Sequence, residues 1–195
     1  MEIKLTDLEI ETFLIRLYFD ITKGFEKAAA KRAYRDFSRT LRDLSKIPNE
    51  KQQIKDEVEG ILLEQIKIVL TSDFKNQGEF DLWHQKTCEK IKSHSSKLKL
   101  TIGQSQKWVN MTLKYMFILK EKRILGINRN VQFFHVPIDN IIQGKFTTEK
   151  KMLGLSERWS SVDSYSIYLE YQNQVRDNYK GEIPFEVEFR LFNQV

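Results

Sequence analysis

Cysteine occurs once in the chain, as Cys88, so no internal disulfide can form and a reducing compartment is expected. Three prolines and eight glycines supply little turn material, which argues against a many-stranded sandwich and for helices. Long hydrophobic runs are missing too: the longest, Met116–Leu119, falls far short of a membrane span. The opening residues mix acidic with apolar positions and lack a signal-peptide layout, so a cytoplasmic protein is expected. There is no internal repeat, no low-complexity tract, no nucleotide-binding glycine loop and no Ser/His/Asp arrangement. No metal and no cofactor are expected. What remains is a globular composition, 41% hydrophobic and 12% aromatic, over 195 residues. That length suits one domain, or two closely packed helical subdomains. The formal charge of +5 suits nucleic acid as well as any basic soluble protein.

The expected fold is all-α, a helical assembly around one central buried helix. Thr6-Asp7-Leu8-Glu9 has the pattern of a capping box opening a helix to about Lys23, with Leu8, Phe13 and Leu17 on its apolar side. A second helix is expected over Phe25–Lys46. Tyr34, Phe37, Leu41 and Leu44 mark one face of it; Lys31, Arg35, Arg39, Arg42 and Lys46 form a basic stripe along another. Such a stripe is either a solvated face or a track for a phosphate backbone. After Pro48, helices are expected over Asn49–Thr71 and Phe80–Lys97. On the latter, His84 and Cys88 stand four apart, a spacing that can share a metal, but with no second cysteine a packed Cys88 and a surface His84 are the simpler expectation.

The central helix is Thr101–Lys120, apolar on nearly every side after Lys107, which requires other helices around it. Lys107, Asn110 and Lys114 recur at i, i+3 and i+7, a polar face that needs partners or a cleft because an unpaired buried ammonium is costly. Pro137 keeps Val136 out of helix, and Asp139 is placed to cap a short helix Asn140–Gln143. Lys145–Glu157 reads as a loop, and a helix follows from Ser160 or Ser161 to about Tyr179. The tail Ile183–Val195 alternates like a strand but also steps like a helix through Phe185, Phe189 and Phe192; with no partner strand, helix is preferred.

Gly103–Met111 followed by His135–Ile141 resembles the helix-hairpin-helix DNA glycosylase superfamily, most of all its archaeal 8-oxoguanine glycosylase branch. The first hundred residues resemble an uncharacterised bacterial helical family. In the glycosylases a glycine-containing hairpin leads into a helix bearing a catalytic lysine, and a V/I-P-V/I-D segment supplies an aspartate. Here Lys107 follows Gly103, and Val136-Pro137-Ile138-Asp139 matches the second element thirty-two residues after Lys107. The usual Leu-Pro-Gly-x-Gly hairpin is reduced to Leu100-Thr101-Ile102-Gly103-Gln104.

The resemblance implies a DNA-repair N-glycosylase with AP-lyase activity on an oxidised purine, with DNA as partner. Lys107 would be the amine nucleophile at C1′ and Asp139 the carboxylate that stabilises positive charge on the sugar. By residue type, Gln104, Asn110, Trp108, His135 and Trp159 are candidates to hold a flipped base. Lys114, Arg123 and Arg129, with Arg35, Arg39 and Arg42, are candidates for duplex contact. The plainer readings are a Lys107 whose stem packs while its head stays in water, an Asp139 that only caps a helix, and an ordinary loop His135. The competing functional expectation is a non-catalytic helical module that binds nucleic acid or a protein through the Lys31–Lys46 stripe, or a degenerate glycosylase fold reused in phage defence.

Overall fold

The computed structural model describes residues 4–41, 51–94 and 99–194. Every regular element among them is helical: α1 (Asp7–Tyr18), α2 (Phe25–Ser38), α3 (Lys51–Thr71), α4 (Gln77–His94), α5 (Ile102–Leu119), α6 (Asn140–Lys150), α7 (Tyr165–Asn178) and α8 (Pro184–Asn193). Short 3₁₀ segments cover Ile21–Lys23, Ile127–Phe133 and Trp159–Ser161. None of these helices is long and apolar enough to cross a membrane.

The central helix is α5. Thr101 and Gln104 form a capping box, the hydroxyl accepting from the Gln104 N–H and the amide oxygen accepting from the Thr101 N–H. All of α5 except Phe117 and Ile118 is buried. α2 runs along one side, where Ala28, Ala29, Ala30 and Ala33 allow a close approach. Trp108 locks that contact: its ring lies 5.2 Å from Tyr34 and 5.6 Å from Phe37, and its Nε1–H donates to Ala30 O at 3.0 Å. α4 covers a second side, and the Trp159–Ser161 turn closes the N-terminal end.

At that end Gly103 has no room for a side chain. A Cβ there would stand 1.8 Å from Trp159 O, and the Gly103 N–H donates to Val162 O at 2.8 Å.

Several boundaries differ from expectation. α1 stops at Tyr18, and its apolar side, including Leu8, Phe13 and Leu17, faces solvent instead of the core. α2 ends at Ser38; Arg42, Leu44, Lys46 and Pro48 lie outside the described residues. α6 runs on to Lys150 through the expected loop, because Ile142 and Phe146, one turn apart, are both buried. The helix expected from Ser160 begins at Tyr165. The tail is a helix with Pro184 in its first turn, where a missing N–H costs nothing.

Candidate active site

Lys107 and Asp139 meet. Pro137 holds its segment extended, and Asp139 sits at the N-cap of α6 with φ −150° and ψ −179°. One carboxylate oxygen accepts from the Ile142 N–H at 2.9 Å; the other accepts from Lys107 Nζ at 2.7 Å. Lys107 is only 4% exposed, so this partner offsets a large desolvation cost.

Amide side chains fix the backbone that carries Asp139. Gln172 accepts from Val136 N–H at 3.0 Å and donates to Val136 O at 2.8 Å, and Gln106 donates to Ile138 O at 3.2 Å. Asn110 joins Gln106, Val136 O and Tyr168 to His84. Behind it lies a buried pair of imidazoles, His84 and His135, with ring centroids 4.5 Å apart. Burial pushes both histidines down, His84 well below its usual range and His135 to about 4, so both are neutral near pH 7. Burial works against ionisation of Asp81, but bonds from His135, Arg176 and Gln77 hold its carboxyl well below the usual range.

The Lys107–Asp139 pair faces a cavity of about 570 Å³ between α2, α5, α6 and α8. Its α5 wall is Lys107, Met111, Lys114, Tyr115 and Ile118, which recur at helical spacing. A second ion pair stands on this wall. Lys114 Nζ is 2.7 Å from both Glu188 oxygens, beneath the rings of Phe189 and Phe192 at 4.6 and 4.8 Å. Burial raises the Glu188 pKa, and Lys114 opposes that rise.

On the α2 wall, Tyr115 donates to Asp36 at 2.6 Å while the Arg32 guanidinium stacks on Tyr18 at 4.0 Å. Five cationic side chains (Arg32, Arg35, Arg39, Lys107, Lys114) and three carboxylates (Asp36, Asp139, Glu188) line the cavity, an excess that suits an anionic ligand.

Of the residues nominated for a flipped base, Trp159 lines this cavity. Trp108 does not: it is fully buried against α2. Gln104 serves the α5 capping box and donates to Thr40. Asn110 and His135 are buried in the hydrogen-bond network beside the pair, and neither lines the cavity. His84 is likewise buried rather than on the surface, bonded to Asn110 and Tyr165, with Cys88 packed beside it. Among the described residues no three or more His, Cys, Asp or Glu side chains cluster as a metal site would need.

Among the duplex candidates, Arg35 and Arg39 stand exposed at the cavity. Lys114 is inside it and neutralised by Glu188. Arg123 is tied to Glu11 at 2.7 Å, and Arg129 pairs with Asp73 at 2.9 Å, away from the cavity. Arg42 lies outside the described residues.

Sequence reasoning missed Arg32, Tyr115, Glu188, Phe189 and Phe192. The available signal was Glu188, a carboxylate in helical step with Phe185, Phe189 and Phe192 on the apolar face of α8. Compared with known protein families, curated proteins and solved structures, the chain finds no match.

Proposed function

We propose that the chain is a DNA N-glycosylase with AP-lyase activity, acting on an oxidised purine of the 8-oxoguanine type. The observation that carries this reading is the 2.7 Å contact between Lys107 Nζ and the Asp139 carboxylate inside a ligand-sized cavity. The His135–Ile141 resemblance to the glycosylase superfamily supports it.

Asp139 takes the ammonium proton, and the neutral Lys107 amine attacks C1′ of a flipped nucleotide. The C1′–N bond breaks, its electron pair leaves with the base, and solvent protonates the base. Positive charge developing on the sugar lies beside the Asp139 carboxylate. Nζ then sheds a proton to solvent, and its lone pair forms the C1′=N bond as the C1′–O4′ bond breaks and O4′ takes the proton held by Asp139. Loss of the C2′ proton from this iminium expels the 3′ phosphate oxygen and cleaves the strand. Trp159, Phe189 and Phe192 offer aromatic faces for the base.

One observation favours a second reading, a non-catalytic nucleic-acid-binding module. Both cavity lysines are closed in ion pairs, while Arg35 and Arg39 pair with none of the described carboxylates. Strand cleavage separates the two. Duplex DNA containing 8-oxoguanine or an abasic site should be cut by the protein and not by Lys107→Gln. Salt-sensitive binding without any cleavage would leave the binding module.

A further inference from the structure

In a helix-hairpin-helix element, backbone N–H groups at the start of the helix grip a phosphate. Here those of α5 are engaged within the chain. Ile102 N–H donates to Asp163 Oδ1 at 3.4 Å, Gly103 N–H to Val162 O at 2.8 Å and Gln104 N–H to Thr101 Oγ1 at 3.1 Å. The Trp159–Ser161 turn is pressed against this end of the helix. A phosphate contact must come from elsewhere.

Beside the turn lies a second, polar depression of about 470 Å³ lined by Arg39, Thr40, Asn140, Arg158, Trp159 and Ser160. It shares Arg39, Asn140 and Trp159 with the cavity of Lys107, and no carboxylate lines it. Arg39 and Arg158 are exposed and pair with none of the described carboxylates. A guanidinium binds phosphate through two parallel N–H bonds, and two around one depression make an anion subsite. Asn140 is the first residue of α6, so the positive end of that helix dipole lies alongside.

We infer that the Arg39–Arg158 depression is a phosphate subsite. It holds the phosphodiester next to the nucleotide in the Lys107 cavity, and Arg35, one turn from Arg39, reaches the neighbouring phosphate. The choice of DNA rests on the glycosylase reading; the phosphate chemistry does not. The test is a salt titration of binding to a duplex carrying a tetrahydrofuran abasic analogue, with Arg39→Gln and Arg158→Gln alongside. Each variant should lower the slope of log K against log salt by about one. If the wild type forms a Schiff base on abasic DNA but Arg158→Gln binds with unchanged affinity and slope, the subsite is overturned and the glycosylase reading survives. If the wild type binds no DNA, deoxyguanosine monophosphate becomes the probe. Binding lost in Arg158→Gln then supports a subsite for a free nucleotide, and no binding of either probe overturns it.

Discussion

Replacing Gly103 with alanine should destabilise the whole fold. The added Cβ would stand 1.8 Å from Trp159 O and 2.9 Å from Trp159 C. Both are backbone atoms of a turn that α5 packs against, so no flexible side chain can give way. Relief requires α5 and the Trp159–Ser161 turn to separate, which strains the 2.8 Å bond from Gly103 N–H to Val162 O. Overpacking of this kind costs about 1–3 kcal/mol, and weakening a buried hydrogen bond adds about 1 kcal/mol. A total near 3 kcal/mol corresponds to a fall in Tm of about 6–12 °C for a chain of this size. Thermal unfolding followed by circular dichroism measures it. Gly60→Ala is the control: Gly60 lies inside α3 with nothing within 4 Å of its Cβ position, so that substitution should raise stability by about 0.5–1 kcal/mol. A Gly103→Ala protein melting within a degree of wild type would refute the reasoning. The hairpin role suggested by the sequence predicts the opposite pattern, lost DNA binding at unchanged Tm.

The neighbouring residues give further tests. Asn caps a helix as well as Asp, so Asp139→Asn keeps the bond from the Ile142 N–H while removing the charge beside Lys107. Its Schiff-base formation should fall about 10²–10³-fold with the helical spectrum unchanged, and a loss under threefold would confine Asp139 to capping. Lys114→Met strands the buried Glu188 carboxylate and should cost about 3–5 kcal/mol in urea unfolding, whereas Lys114→Met/Glu188→Leu should return close to wild type. Equal losses in the two would show that the pair is not what matters there. His84 and His135 have folded pKa values lowered by burial, so the unfolded chain binds more protons and stability falls as pH drops. The stabilisation is complete above the unfolded value near 6.5 and is lost as pH falls below it, for His135 down to about 4, at up to about 1.4 kcal/mol per pH unit for each histidine. A urea midpoint that is flat from pH 7.5 to 5 would contradict neutral buried imidazoles.

Much of the architecture was legible because local chemistry decided it. The Thr6–Glu9 capping box, the all-round apolar α5 and the Pro137–Asp139 helix start each need only neighbours in sequence. The encounter of Lys107 with Asp139 joins residues thirty-two apart and was legible through the family resemblance alone. What covers a face was not legible. Periodicity shows that α1 carries an apolar stripe, but not whether this chain or another buries it. Side-chain type likewise misjudged Gln104, Trp108, Asn110 and His135, since a polar or aromatic residue on a buried helix serves internal bonds as readily as a ligand. Thr101-Ile102-Gly103-Gln104 shows the same ambiguity: read as a hairpin, it is also the S/T-x-x-Q pattern of a capping box, and the box is what forms. Glu188 and the aromatic residues of α8 lay in a tail whose two periodicities compete.

The central claim is that the Lys107 amine is the nucleophile, and mapping the trapped covalent bond tests it most directly. The protein is incubated with abasic duplex, reduced with borohydride, digested and sequenced by mass spectrometry. The account predicts a single modified lysine, Lys107, and no adduct in Lys107→Gln. An adduct on Lys114 or on surface lysines, or one that persists in Lys107→Gln, would contradict it.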